Sequence, residues 1–149
     1  TRELCLLVVG DGDYLREMQA ECSALRHAQQ VIFTGQQEQV QKYLKASDFF
    51  LSPSLHENLS ISILEACAAK LPCLVTDVGG NGEIIENGKN GLVIEPYSAK
   101  AIIDGIRKMC CISTYDTLEK NIRKTDYRKF SDEQVDKQLE SVYAYLLKL

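Results

Sequence analysis

The chain has 149 residues, 26% of them charged, with a formal net charge of −4 and a pI near 5.2. That length carries one domain with a real core, and the composition excludes fibrous, disordered and disulfide-scaffold classes. The acidic balance lacks the basic footprint that DNA or RNA requires, so no nucleic-acid partner is expected, while a small nucleotide remains open.

Leu4 to Val9 is a continuous apolar run stopped by Gly10-Asp11-Gly12, which predicts a strand buried on both faces and then a tight turn. Asp13 is placed to cap a helix on which Leu15, Met18, Cys22 and Leu25 share a face, and Val31-Ile32-Phe33 forms a second strand closed by Gly35. The alternation repeats through a helix carrying Val40, Tyr43 and Leu44, a strand from Asp48 to Ser52, a helix from Ser60 to Lys70 and a strand from Pro72 to Thr76. Gly79-Gly80-Asn81-Gly82, Asn87-Gly88 and Asn90-Gly91 are turn signals around a short strand from Gly91 to Ile94. Next come a helix with Ala101, Ile102, Ile106 and Met109 on one face and a polar helix from Leu118 to Lys124. An amphipathic helix from Ser131 to Leu147 follows, with Ser131 and Gln134 as its capping pair. Such alternation predicts an α/β fold: a Rossmann-like parallel sheet with helices on both faces and ligands beyond the carboxyl ends of the strands.

The six cysteines fall mostly in apolar runs or side by side (Cys110, Cys111), which predicts reduced core thiols. No Cys/His spacing suits zinc, so no structural metal is expected; no cofactor is expected either. No apolar run approaches the ~18 residues of a membrane helix, so no transmembrane segment is expected. Without a signal-peptide pattern, the cytoplasm is the expected compartment, and a chain that opens almost inside a strand reads as a piece of a longer protein.

The most informative stretch is Glu57-Asn58-Leu59-Ser60-Ile61-Ser62-Ile63-Leu64-Glu65, which runs from a strand end into a helix. A helix start leaves backbone N–H groups free for a phosphate, and flanking carboxylates suit sugar hydroxyls. The competing reading is capping, because Ser54…Glu57 and Ser62…Glu65 both fit a capping box. Two boxes eight residues apart cannot open one helix, so at least one carboxylate needs another role. Gly10-Asp11-Gly12 lacks the third glycine of a dinucleotide fingerprint, since Leu15 takes its place, and reads as a turn. His56 reads as loop wall, and Lys120, Arg123, Lys124, Arg128 and Lys129 as a solvated helix face.

Several segments in order carry a resemblance. Leu7-Val8-Val9-Gly10-Asp11-Gly12, Ile32-Phe33-Thr34-Gly35, Tyr43-Leu44-Lys45-Ala46-Ser47-Asp48 and Leu51-Ser52-Pro53-Ser54 lead into Glu57 through Ala66, then Thr76-Asp77-Val78-Gly79-Gly80 continuing to Glu83-Ile84. Together they resemble the carboxy-terminal domain of family 4 glycosyltransferases, retaining enzymes of the GT-B architecture.

The resemblance implies a domain spanning residues 1–149 that binds the nucleotide-diphosphate half of a UDP- or GDP-sugar, truncated at its first strand and helix. A separate domain, absent here, would bind a glycan or lipid-linked acceptor. Glu57 would contact the donor sugar and count as the catalytic position, although positioning describes it better than nucleophilic attack. Glu65 would hydrogen-bond the ribose, backbone amides around Asn58, Leu59, Ser60 and Ile61 would meet the diphosphate, and Gln36 and Gln37 would lie against the base. The leaving diphosphate would help deprotonate the acceptor, with no metal required. Asn58 and Ser60 stand where such enzymes often have glycine, and the family's Gly-Arg and Lys diphosphate grip is not found. The fragment alone is therefore expected not to turn over substrate, and the full-length enzyme is expected in the cytoplasm or at the inner face of a membrane. The rival readings are a noncatalytic sugar-nucleotide or partner-binding module and a GT-B sugar-nucleotide epimerase.

Overall fold

The computed structural model describes residues 3–147, in two compact units that divide between Asp48 and Phe49. In the first, β1 (Leu6–Val9) pairs in parallel with β2 (Val31–Gly35), joined by α1 (Leu15–Ser23), and α2 (Val40–Ala46) packs against β1. In the second, β3 (Phe50–Ser52), β4 (Cys73–Thr76) and β5 (Gly91–Ile94) form a parallel sheet in sequence order. The connections are α3 (Ile61–Ala68) between β3 and β4, and the single-turn α4 (Asn81–Ile84) between β4 and β5. After β5 come α5 (Ala99–Met109), α6 (Ile112–Ile122) and α7 (Asp132–Leu146). The α/β class and parallel pairing are those expected.

β4 is the buried centre of its sheet: all four residues are buried, between two hydrogen-bonded neighbours. Leu74 leads a core cluster with Leu92, Met109 and Leu118, and Ile106 packs against it, so α5 buries the expected face. Ser98 caps α5 by accepting from the Ala101 N–H at 3.1 Å. The helix read as polar starts earlier, at Ile112. It is amphipathic, because Leu118 and Ile122 are buried one turn apart.

Several local expectations are corrected. β1 is not buried on both faces: Leu6 is 46% exposed, and Ile32, the register partner of Leu7 on β2, is 47% exposed, because among the described residues β2 is the only strand paired with β1. Asp13 does not cap α1, whose N-cap position is Tyr14; the turn is closed instead by the Gly12 N–H donating to Asp11 Oδ1 at 2.7 Å. Leu25 lies beyond the end of α1 and is exposed. Ser131 precedes α7 but its hydroxyl donates to the Arg128 carbonyl, so no capping box forms. The basic run is divided: Arg123 pairs with Glu119, Arg128 with Asp126, and Lys129 donates to the Glu83 carbonyl at 3.0 Å.

All six cysteines are free, but only some are core thiols. Cys67 and Cys73 are buried side by side, and the hydrogen bond with Cys67, then burial, holds the Cys73 thiol well above its usual pKa. Cys5 and Cys111 are exposed. Cys111 occupies the N-cap position of α6, where the Ser113 hydroxyl, then Thr114, stabilises the thiolate and lowers its pKa to about 7. A lowered pKa means that the thiolate is present above that value and lost below it. Iodoacetamide labelling of Cys111 should therefore rise through pH 7 and level off by about one to two units higher. Mass spectrometry of the labelled peptide checks this, and a rate still climbing steeply from pH 8 to 9 would contradict it.

Candidate functional site

The candidate site is the eight-residue loop between β3 and α3 together with the first two turns of α3, and the loop's shape comes from three strand ends. Ser60 is the N-cap of α3, and the first helical bond runs from the Leu64 N–H to the Ser60 carbonyl at 3.2 Å. Ile61, Ser62 and Ile63 therefore present N–H groups without intrahelical acceptors, and no side chain caps them. The Ser60 hydroxyl, which could have done so, is buried against Ser62 Oγ at 3.0 Å. Neither proposed capping box operates, because Ser62 lies inside α3 and Ser54 lies six residues before its cap. Ser54 Oγ instead reaches Glu57 Oε1 at a long 3.4 Å.

Glu57 and Glu65 thus bracket the helix start, one in the loop and one on the second turn of α3, both half-exposed. Asn58, Leu59 and Ile61 are exposed between them. An ionised carboxylate only accepts hydrogen bonds, so the pair suits ligand hydroxyls, while the amides between suit an anion.

The end of β4 holds the loop in place. Thr76 Oγ1 donates to the Ser54 carbonyl at 2.6 Å, fixing the segment before Glu57. After Thr76 the chain turns through Gly79 and Gly80, and the Gly80 N–H donates to the Asn58 carbonyl at 2.6 Å. Gly79 has φ +51°, and a Cβ there would stand 1.9 Å from the Glu57 carbonyl oxygen. Only glycine permits that approach. Asn81 then anchors the turn from below: fully buried, it donates through Nδ2 to the Thr76 carbonyl at 3.0 Å. The end of β5 adds Tyr97, whose hydroxyl lies 3.2 Å from His56 Nε2 with the rings edge to face at 6.3 Å.

The model of the family described as glycosyl transferases group 1 matches residues 1–125. The chain belongs to that family. Among curated relatives it is 30% identical over 144 residues to the N-acetyl-alpha-D-glucosaminyl L-malate synthase of Bacillus anthracis, covering 96% of this chain and 38% of that one. It is 28% identical over 118 residues to the UDP-Gal:alpha-D-GlcNAc-diphosphoundecaprenol alpha-1,3-galactosyltransferase of Escherichia coli, covering 78% of this chain and 30% of that one. Among solved structures, HepE of Anabaena in complex with UDP superposes with a TM-score of 0.85 at 21% identity, over 95% of this chain and 41% of that one. The lipopolysaccharide glycosyltransferase WaaG gives 0.73 at 30% identity, over 86% and 34%. The chain is a glycosyltransferase domain with the fold of one GT-B half, and it spans well under half the length of these relatives.

Within this glycosyltransferase domain the structure gathers Glu57, Asn58, Leu59, Ser60, Ile61 and Glu65 around one helix start. Gln36 and Gln37 belong to the other unit, after β2, where Gln36 is exposed and Gln37 Nε2 donates to the Thr34 carbonyl at 2.7 Å. Among the described residues no cluster could hold a metal, and no helix is long and apolar enough to cross a membrane. Sequence reasoning missed Thr76, Asn81 and Tyr97 as shapers of the site. It also took Gly79-Gly80 for a turn signal alone, though two adjacent glycines beyond a buried strand were a hint of close backbone approach.

Proposed function

We propose that the chain is the donor-binding half of a retaining, family 4 type glycosyltransferase that transfers a hexose-type sugar from a UDP- or GDP-sugar. The acceptor, a glycan or lipid-linked glycan, would be bound by a further domain, and this half alone would not complete transfer. The observation that carries the reading is the bracket of two carboxylates around uncapped helix-start amides. The diphosphate sits at the amides of Ile61 and Ser62, Glu65 accepts from the ribose hydroxyls and Glu57 accepts from the donor sugar. As the glycosidic bond breaks, negative charge grows on the diphosphate, and pre-oriented amides stabilise it without reorganisation. A diphosphate oxygen then takes the proton of the attacking acceptor hydroxyl on the same face, which retains the anomeric configuration. The galactosyltransferase of Escherichia coli named for UDP-Gal makes uracil the first base to test. Such an enzyme works in the cytoplasm, at the inner membrane face when its acceptor is lipid-linked.

A thermal-shift panel with UDP, GDP and ADP tests the donor site. One diphosphate at about 100 times its dissociation constant should stabilise the chain by about 2.7 kcal/mol, a shift of several degrees. Glu65→Ala should remove the shift without lowering the unliganded melting temperature by more than a degree or two, since Glu65 is half-exposed. Equal shifts in Glu65→Ala would sink the assignment of the ribose to this residue.

A further inference from the structure

The loop that presents Glu57 is held at its two feet by the end of β4 and the turn after it, through Thr76 to Ser54 and Gly80 to Asn58. Its crown, Leu55 and His56, is exposed, and Tyr97 reaches it from the loop after β5. Tyr97 has φ +58°, in the left-handed region that an aromatic residue rarely occupies. It is also 69% exposed, so burial offers little in return. Glycine would adopt this φ freely. What the tyrosine adds is its contact with His56: a 3.2 Å hydrogen bond and an edge-to-face ring pair with the planes at 70°. His56 directly precedes Glu57, whose carboxylate is met among the described residues by the Ser54 hydroxyl at a long 3.4 Å. The aim of Glu57 therefore depends on the backbone of the crown.

We propose that Tyr97 is a positioning residue for the sugar half of the donor site: by latching His56 it fixes the loop crown and with it the direction of Glu57. The proposal rests on the donor-site reading above. It separates the two halves of the ligand, because the amides and Glu65 lie beyond the Gly80–Asn58 contact and do not need the latch. Strain held at a ligand-facing loop is where such backbone outliers gather.

The test is calorimetry on the 149-residue chain with UDP and with UDP-glucose, UDP-galactose and UDP-N-acetylglucosamine, and with GDP and GDP-mannose as the second set. The readout is the ratio of the diphosphate Kd to the best sugar-nucleotide Kd. Tyr97→Phe keeps the ring and loses the hydroxyl, and should lower that ratio about fivefold, the effect of one net hydrogen bond, while the diphosphate Kd stays within twofold. Tyr97→Gly should lower the ratio at least as much while melting no lower than wild type, because it releases the strained φ. His56→Gln, which keeps a partner for the hydroxyl, should retain more of the ratio than His56→Ala. A tyrosine with only a structural role would leave the ratio unchanged in both Tyr97 variants, and that result overturns the latch. So does a wild-type chain that binds a diphosphate with no gain from the sugar. Failure of every nucleotide to bind wild type would instead overturn the donor reading itself, and is seen before any Tyr97 variant is made.

Discussion

Gly79→Ala is expected to lower the melting temperature by about 6–12 °C and to reduce sugar-nucleotide affinity at least tenfold. Two effects add. At φ +51° an L-residue is strained by roughly 1–2 kcal/mol, which alone is measurable. The new Cβ would also stand 1.9 Å from the Glu57 carbonyl oxygen and 3.0 Å from that of Asn58. Both neighbours are backbone, so no side-chain rotation relieves the overlap and the loop must move by more than an ångström. Together the terms come to about 3 kcal/mol, and for a chain of this size each kcal/mol shifts the midpoint by about 2–4 °C. The affinity falls because the displaced peptide is the one that carries Glu57 and precedes the helix-start amides. Gly82→Ala is the control, since a Cβ there meets nothing within 4 Å and φ is ordinary. It should be neutral or stabilising by up to about 1 kcal/mol. Melting by circular dichroism and titration by calorimetry read both variants; a Gly79→Ala chain that melts and binds like Gly82→Ala would show that the approach is not needed.

This contact also shows where sequence reasoning stopped. The strands of the second unit could be read within two residues because a buried parallel strand is an uninterrupted apolar run, and Cys73–Thr76 and Gly91–Ile94 are such runs bounded by turn residues. The carboxylate pair was legible because Glu57 and Glu65 flank the change from strand to helix along a continuous stretch. The support of that stretch was not. Thr76, Gly79, Gly80 and Tyr97 lie 19 to 40 positions after Glu57, and nothing in a linear pattern says that the ends of β4 and β5 reach back to the loop after β3. The capping boxes failed for a related reason. Ser54, Ser62 and Ser131 all match a local signature, but the Ser54 segment belongs to a loop held by Thr76, and the Ser131 hydroxyl has a closer carbonyl in the preceding turn. Exposure of Leu6 and Ile32 departs from the apolar pattern because that pattern records what a strand can bury, whereas burial depends on which neighbours cover it.

The close packing of α5 on β4 yields the other large effect. Leu74→Ala should destabilise the chain by about 3–5 kcal/mol, because Leu74 is fully buried at the centre of the cluster with Leu92, Met109 and Leu118. Gly105 is the reason the helix comes so near: a Cβ there would lie 2.7 and 3.0 Å from the two Leu74 methyls and 3.4 Å from Ile94 Cγ2. Gly105→Ala alone gains up to about 1 kcal/mol in helix propensity but forces Leu74 out of its rotamer at roughly 1–3 kcal/mol, so it should be destabilising overall or near neutral. In the Leu74→Ala background the overlap disappears, and the added methyl enters the space that the leucine left. The double variant should then be more stable than the sum of the singles by about 1–3 kcal/mol, and no less stable than Leu74→Ala alone. Urea denaturation of the four chains gives the cycle, provided that the m-values agree. Additivity within about 0.5 kcal/mol would mean that α5 can shift away from β4 to admit the methyl, and the rigid contact of this helix with the strand would have to be abandoned.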